Sequence, residues 1–212
     1  MLVRLWLMQA IPTRLTPSGQ TGDVVANINY GTGIPDDAEL RLCGDVSDGK
    51  RALELGISEW FNSVDFAIAG AKSIAVDTNP ERIAEVRRRA IEAEVQVQCH
   101  ETALADLGDV ASGSCDVVLA AHTIDEVDDL SRLLRQVHRV LIPSRPFVIS
   151  LPHPFASISP EHPYGTVSRS IGSWFTALSR SNFDVDQLLE LGAGPSHPEP
   201  TTLMIRALKE GS

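Results

Sequence analysis

The sequence predicts an α/β fold in which helices cover both faces of a doubly wound, mostly parallel sheet. Short runs rich in Val, Ile and Leu recur along the chain without apolar–polar alternation, a pattern typical of strands buried on both faces. Helical stretches separate these runs over about a hundred residues, which favours crossover connections between parallel strands. The five predicted parallel strands are 51–55, 73–76, 95–99, 116–120 and 147–151.

Each connecting segment carries helix signals of its own. Pro80 stands where the first helical residue is expected, and 128–141 repeats apolar residues at three- and four-residue spacing. After residue 151 four prolines interrupt the pattern, so 152–170 is predicted to be an irregular excursion on the substrate side. The remaining predictions are helices at 36–43, 60–69, 80–94, 128–141 and 171–181, with two last strands at 183–191 and 202–208.

Composition limits the function classes. The chain has 212 residues, 28 Asp and Glu, and 18 Lys and Arg, with a net charge of −10. Nucleic-acid binding depends on clustered basic residues, so this balance argues against DNA or RNA as a partner. No stretch is long and apolar enough for a membrane span, and three scattered cysteines indicate neither disulfides nor zinc. We therefore expect a cytoplasmic protein without a membrane partner.

The chain divides into two parts by composition. Residues 1–38 include a Gly- and Pro-rich stretch with isolated apolar residues such as Tyr30 and Ile34, and are predicted to be an N-terminal segment that can serve as a lid. Residues 39–212 form the predicted domain.

Two strand ends carry the main binding signals. Ligands of parallel sheets bind beyond the carboxyl ends of the strands, near the point where strand order reverses. Gly56 follows the first strand and allows a ligand to approach the backbone closely. Asp77 ends the second strand about twenty residues later, where an acidic side chain can accept hydrogen bonds from a ribose diol. Alternatively, Asp77 or Thr78 caps the helix that begins at Pro80.

The order of these segments resembles a class I S-adenosylmethionine-dependent methyltransferase. The resemblance is carried by Glu54-Leu-Gly, Ile74-Ala-Val-Asp77, Asp116-Val-Val-Leu and Leu133-Leu-Arg-Gln-Val-His-Arg-Val-Leu141. The segments Val127-Asp-Asp-Leu and Phe147-Val-Ile-Ser-Leu-Pro-His-Pro154 are similar to those of actinobacterial small-molecule members. The resemblance covers about residues 39–209 and implies a Rossmann-like, seven-stranded sheet with an antiparallel C-terminal strand.

The resemblance also implies a cofactor, S-adenosyl-L-methionine, and residues that bind it. Glu54 and Gly56 are implied on its methionine side, Asp77 at the ribose, and Ala103 and Leu104 beside the adenine. The implied cofactor-binding residues are Glu54, Gly56, Ser58, Asp77, Thr78, Ala103, Leu104 and Ala121. The chain departs from the family at Ser58 and Trp60, where small residues are usual, and at Ala103, which has no side-chain acceptor for the adenine.

Two histidines are the candidate general bases. His122 and His153 follow the fourth and fifth predicted strands and so open on the same end of the sheet. A positioned base accelerates proton transfer by roughly 10²–10⁴-fold. A structural hydrogen-bonding role is the alternative for each histidine. The predicted substrate-side residues are Tyr30, His153, Tyr164 and Trp174, and a place in the helix core is the alternative for Trp174.

The sequence thus predicts methyl transfer to a small-molecule hydroxyl, with a sugar or glycoside as the preferred acceptor. Acidic residues at 125–129 are compatible with magnesium, but a helix start that complements the helix dipole is favoured, and no metal ligand is assigned. A homodimer is also compatible with this interpretation. The alternatives are a non-catalytic methyltransferase-fold protein that acts through protein contacts and, less favoured, a dinucleotide-dependent oxidoreductase, because the turn lacks G-x-G-x-x-G.

Overall fold

Seven strands form one sheet in the computed structural model, which describes residues 26–194 and 198–211. The strands are β1 (Arg51–Leu55), β2 (Lys72–Asp77), β3 (Val97–Glu101), β4 (Val117–Ala121), β5 (Pro146–Pro152), β6 (Phe183–Leu191) and β7 (Thr202–Lys209). Their spatial order is β3-β2-β1-β4-β5-β7-β6. Strands β1 to β5 run parallel, while β7 is antiparallel to both β5 and β6. This order confirms the Rossmann-like, doubly wound sheet predicted from the sequence.

The described residues form five α-helices, of which the last four connect strands and the first precedes β1. They are α1 (Asp37–Leu40), α2 (Asn62–Ile68), α3 (Pro80–Glu92), α4 (Leu130–Val140) and α5 (Ile171–Arg180), and a 3-10 turn covers Pro154–Ser157. Local capping sets several starts: the side chains of Asn79, Asp129 and Ser170 accept backbone N–H groups in the first turns of α3, α4 and α5. The apolar stripe of α4 is fully buried against the sheet, as its spacing predicts.

Strand β3 differs from its prediction in position and burial. It begins two residues later than expected and is half-exposed, because it forms one edge of the sheet. The shift has a local cause: Val95 N–H donates to the Ala90 carbonyl, and Glu94 has a positive φ of 55°, so this turn still belongs to the end of α3. Helix α1 is also shorter than predicted, since Arg41 adopts a left-handed conformation and ends it.

Residues 26–36 pack onto the sheet before the predicted domain boundary. Ile28, Tyr30 and Ile34 are buried in the same cluster as Leu119 of β4. Asn29 and Asn62 of α2 exchange hydrogen bonds, with the Asn29 N–H donating to Oδ1 at 2.7 Å and Nδ2 donating to the Asn29 carbonyl at 2.9 Å. This part of the predicted lid is therefore fixed to the domain, and residues 1–25 lie outside the described residues.

The switch point lies between β1 and β4. From β1 the chain proceeds outward through β2 and β3, then returns to place β4 on the other side of β1. The carboxyl ends of β1, β2, β4 and β5 therefore surround one cleft. In the described part of the chain, no helix is long and apolar enough to cross a membrane.

Candidate functional site

Two adjoining cavities lie at the carboxyl ends of the parallel strands. Each has a volume of about 420 Å³, and Arg82 and His122 line both. The first, called the Asp77 cavity, is lined on the strand side by Gly56, Asp77, Thr78, Leu104 and Thr123. The second, called the Trp60 cavity, is lined by Thr32, Ser58, Trp60, Ala121 and Thr202. Both volumes fall within the usual range of about 300–1,000 Å³ for small-molecule sites.

Glu54 holds the turn after β1 in shape. Its side chain is fully buried and accepts hydrogen bonds from the backbone N–H groups of Ser58, Asn62 and Ser63 at 3.1, 3.2 and 2.8 Å. The Ser58 hydroxyl donates to it as well, at 2.9 Å. Burial raises the pKa of Glu54, while these donors oppose the rise. Glu54 lines neither cavity and positions the turn through these bonds, and its implied contact with a cofactor stays a prediction.

Gly56 is required by two features of the protein itself. Its φ is +75°, which L-residues rarely adopt, and a Cβ at this position would lie 2.4 Å from the Cβ of Thr123. Thr123 follows β4, and its hydroxyl donates to the Leu55 carbonyl at 2.6 Å. The ends of β1 and β4 are thus in close contact at the floor of the Asp77 cavity.

Asp77 points its carboxylate into the turn and the cavity. One oxygen accepts the Ile57 N–H at 2.7 Å and the other accepts the Asn79 N–H at 2.8 Å. Asn79, rather than Asp77 or Thr78, caps α3, so the capping alternative is wrong. The guanidinium of Arg82 lies 3.9 Å from Asp77 and donates to the Ile57 carbonyl. Each carboxylate oxygen keeps a free lone pair for a further donor.

The residues after β3 contribute unequally. Leu104 lines the Asp77 cavity, whereas Ala103 is exposed and lines neither cavity. Asp106, the first carboxylate after β3, accepts the Gly108 N–H at 3.3 Å within its own turn. Leu104 is therefore placed beside the cavity and Ala103 is not, while contact of either residue with a cofactor stays a prediction.

His122 is the ionisable side chain shared by both cavities at the end of β4. It is half-buried, has a positive φ of 56°, and its ring lies 5.7 Å from that of Trp60 in an edge-on arrangement. Its Nε2 is 3.1 Å from the Tyr30 carbonyl oxygen and 3.1 Å from the Ser150 hydroxyl. Burial lowers the pKa of His122, against the Tyr30 carbonyl, Asp125 and Glu59, which raise it. A neutral imidazole is therefore present at neutral pH.

His153 does not reach either cavity. Its side chain is 0% exposed, Nε2 lies 2.9 Å from Glu190 Oε1 of β6, and Nδ1 accepts the Phe155 N–H at 3.2 Å. Both ring nitrogens are therefore used within the protein. The predictions that His153 is a general base and a substrate contact are corrected to a structural role that ties the 3-10 turn to β6.

Among the other predicted substrate residues, only Tyr164 has a partly free side chain. Trp174 is 2% exposed and packs in the core beneath α5, which corrects its placement on a pocket wall. The Tyr30 side chain is fully buried, and its hydroxyl contacts Asp37 and Cys43, so its ring cannot touch a substrate. Tyr164 is 41% exposed beside Phe155 at a ring distance of 5.2 Å, within 152–170, but lines neither cavity.

Several residues of the site were not predicted from the sequence. Arg82, Thr123, Thr202 and Ser150 all line or contact the cleft, and Trp60 forms a wall although the sequence marked it as a departure from the family. Thr123 directly follows His122 in the sequence, so its position after β4 could have identified it as a site residue. Across residues 26–194 and 198–211, no three His, Cys, Asp or Glu side chains are grouped so as to hold a metal ion.

Comparisons with known proteins agree with this architecture. Residues 53–149 match a family model described as a methyltransferase domain. A ubiquinone biosynthesis O-methyltransferase from Xanthomonas oryzae pv. oryzae is 29% identical over 102 residues, which are 48% of this chain and 43% of the relative. The match thus spans less than half the length of that curated relative.

Solved structures extend the likeness over most of the chain. An S-adenosylmethionine-dependent methyltransferase from Mesorhizobium loti has a TM-score of 0.67 and 21% identity, covering 81% of this chain and 96% of that one. A second, from Aquifex aeolicus, has a TM-score of 0.66 and 16% identity, covering 82% and 89%. The chain therefore has the Rossmann-like fold of S-adenosylmethionine-dependent methyltransferases, and residues 53–149 carry the sequence pattern of a methyltransferase domain.

Proposed function

We propose that this protein transfers a methyl group from S-adenosyl-L-methionine to the hydroxyl of a small molecule, with His122 as the general base. One observation carries the proposal: a half-buried histidine with a lowered pKa lines both the Asp77 cavity, which contains four of the implied cofactor residues (Gly56, Asp77, Thr78 and Leu104), and the cavity walled by Trp60, which contains Ser58 and Ala121. The printed name of the Xanthomonas oryzae relative, an O-methyltransferase, supports oxygen as the accepting atom.

The Asp77 cavity fits the cofactor by its chemistry. Asp77 is 7% exposed, and each of its oxygens can accept a hydroxyl of the ribose in addition to its backbone donor. Leu104 offers an apolar contact for the adenine, and Thr78 lines the same wall. The acidic side chain that the family uses to bind the adenine amine is absent at Ala103. No carboxylate on the wall formed after β3 replaces it, so backbone groups of this wall would have to bind the amine.

Bound S-adenosylmethionine would supply an electrophilic methyl group attached to a sulfonium. The protein then has two tasks, which are to align the acceptor hydroxyl and to take its proton. Alignment alone can lower a barrier by about 7–11 kcal/mol. His122 is neutral at neutral pH and could accept the proton of the hydroxyl while the oxygen gains the methyl group and the methyl–sulfur bond breaks, which would release S-adenosylhomocysteine.

The acceptor side favours a compound with a flat or ring-shaped face. Trp60 lines the Trp60 cavity next to His122, and an aromatic face suits the apolar side of a sugar or an aromatic ring. The sugar or glycoside proposal now depends on Trp60, because Trp174 and Tyr30 are buried in the core. Hydroxyls of Thr32, Ser58 and Thr202 supply hydrogen-bonding groups around the same cavity.

Calorimetry with S-adenosylmethionine and S-adenosylhomocysteine tests the cofactor site. We expect saturable binding by the wild type and about 10–100-fold weaker binding by Asp77→Asn, since a hydrogen bond to a charged group contributes about 1.5–3 kcal/mol. Asp109→Asn is the matched control, because this carboxylate is 77% exposed and outside both cavities. Absence of binding by the wild type, or equal affinity of Asp77→Asn and wild type, would refute the proposal.

The non-catalytic alternative has one observation in its favour. Protein groups already contact the glycine turn, since Thr123 packs against Gly56 and Arg82 donates to the Ile57 carbonyl. A methyltransferase-fold protein that acts only through protein contacts does not need a glycine turn that a cofactor can reach. It predicts no heat of binding with either cofactor form, so the same titration separates the two functions.

A further inference from the structure

The hydrogen bonds around His122 determine which of its nitrogens carries the proton. A backbone carbonyl can only accept, so the 3.1 Å contact between Nε2 and the Tyr30 oxygen requires a hydrogen on Nε2. The Ser150 hydroxyl donates to the same Tyr30 oxygen and lies 3.1 Å from Nε2, where its own oxygen can share the Nε2 proton. The opposite tautomer, with its proton on Nδ1, would direct the Nε2 lone pair at the lone pairs of the Tyr30 carbonyl oxygen, which is unfavourable.

The other ring nitrogen has no partner among residues 26–194 and 198–211. Within these residues no hydrogen bond involves Nδ1, and the His122 side chain lines both cavities of the cleft. In a neutral ring protonated at Nε2, Nδ1 holds the only lone pair that can accept a proton. One ring nitrogen of His122 therefore orients the ring, and the other remains available to a ligand in the cleft.

The backbone supports the same arrangement. His122 adopts a left-handed conformation with φ 56°, which is costly for a residue with a side chain, and its N–H donates to the Ser150 carbonyl at 2.8 Å. Ser150 thus holds the main chain of His122 as well as its ring. Gly31 leaves room beside Nε2, since a Cβ at position 31 would lie 3.1 Å from that atom.

We infer that Ser150 and the backbone carbonyl of Tyr30 form a positioning pair, which fixes His122 as the Nε2–H tautomer with Nδ1 available as the proton acceptor. The inference rests on the proposed function only for the use of Nδ1 in catalysis. The tautomer is a property of the free protein and needs neither cofactor nor acceptor.

The charged groups around the ring are compatible with this assignment. Glu59 lies in the turn after β1, Asp125 follows β4, and Arg82 of α3 lines both cavities. None of these side chains makes a hydrogen bond to His122 in the described chain. The tautomer is therefore set by Tyr30 and Ser150 and not by a neighbouring carboxylate.

Nuclear magnetic resonance of the 15N-labelled protein measures the tautomer directly. The two-bond correlations between ring protons and ring nitrogens differ between the two neutral forms, and His122→Gln identifies the signals of this ring among six histidines. We expect the neutral His122 of the wild type to carry its proton on Nε2. A neutral ring protonated at Nδ1 would overturn the inference without any variant.

Substitution of Ser150 separates positioning from stability. Ser150→Ala leaves the Tyr30 carbonyl as the remaining acceptor of the Nε2 proton, so the fraction of the Nδ1–H tautomer should rise above that of the wild type. Ser150→Thr, which keeps the hydroxyl, should restore the wild-type pattern. Ser73→Ala is the matched control, because Ser73 is also a buried strand serine whose hydroxyl donates to a backbone carbonyl, that of Ser63. Ser73→Ala loses a comparable hydrogen bond far from the cleft and should leave the tautomer of His122 unchanged.

Four results bear on the inference or on the proposed function. A pure Nε2–H tautomer in Ser150→Ala would remove Ser150 from the pair, and an equal change in Ser73→Ala would reduce the effect to lost stability. Under the proposed function, Ser150→Ala should also lower kcat about tenfold with little change in KM. Failure of cofactor binding in calorimetry would refute the proposed function and leave the tautomer assignment standing.

Discussion

The ends of β4 and β5 place two histidines in similar sequence positions but in different surroundings. His122 keeps one ring nitrogen free beside two cavities, whereas both nitrogens of His153 bond within the protein. The difference follows from what covers each strand end. The segment after β5 folds back as a 3-10 turn over His153, while the residues after β4 remain at the rim of the cleft.

This contrast shows that position at a strand end is insufficient to identify a catalytic group. A general base needs an open nitrogen, and the structure meets this condition at His122 alone of the two. The packed histidine instead contributes to stability through Glu190, which is 46% exposed on β6.

Glutamine substitutions give the largest expected separation between the two histidines. His122→Gln should lower kcat by roughly 10²–10⁴-fold, because glutamine cannot take the hydroxyl proton. His153→Gln should retain most of the activity and lower the thermal midpoint instead. The measurement is release of S-adenosylhomocysteine with an acceptor found by screening small hydroxyl compounds, together with calorimetric cofactor affinity, which both variants should keep. Equal losses of kcat would show that the contrast is wrong.

Two glycines probe how tightly the turn after β1 and the irregular segment 152–170 are packed. Gly56 and Gly165 both have positive φ, +75° and +81°, but a Cβ would lie 2.4 Å from Thr123 at Gly56 and 3.5 Å from Ser170 at Gly165. Gly56→Ala should therefore lower the free energy of unfolding by about 2–4 kcal/mol, from backbone strain plus overpacking. Gly165→Ala should cost only the strain, about 1–2 kcal/mol. Chemical denaturation measures both, and a similar loss in the two variants would mean that Thr123 moves aside freely.

The pH dependence of stability gives the smallest effect and a defined sign. The folded-state pKa of His122 lies below its ordinary value of 6.5, so between these values the unfolded chain binds a proton that the folded chain does not. The free energy of unfolding should therefore fall as the pH decreases through this window, by at most about 1.4 kcal/mol per pH unit from this group.

The difference between wild type and His122→Gln isolates that contribution, since carboxylates are common to both proteins. Denaturation curves between pH 7 and pH 5 should converge for the two proteins as the pH decreases, provided that the variant starts less stable. A parallel course of the wild-type and His122→Gln curves would indicate that burial does not lower the pKa of His122.

The sheet and the positions of Gly56 and Asp77 at the cleft were predictable because local patterns determine them. Strands buried on both faces read as continuous apolar runs, and Gly56 and Asp77 follow their strands directly. The edge strand β3 was predicted less well, since an exposed edge has no such run and the end of α3 extended into it.

The acceptor side was harder to predict, because its residues come together only through long-range packing. Trp174 was correctly recognised as part of a helix, but which face of α5 meets the core depends on the course of 152–170. Tyr30 contributes its backbone carbonyl rather than its ring. The type of a residue does not indicate what its backbone carbonyl will contact. Arg82 and Ser150 likewise acquire their roles from partners far away in sequence.

The carbonyl of Tyr30 and the hydroxyl of Ser150 also bear on where a functional fragment can be cut. Both lie outside the range 53–149 that matches the methyltransferase domain, Ser150 by a single residue. A fragment limited to that range would retain Gly56, Asp77 and His122 while losing both groups that orient the imidazole. Under the proposed function, the residues for cofactor binding and the groups that orient the base would therefore have different boundaries along this chain.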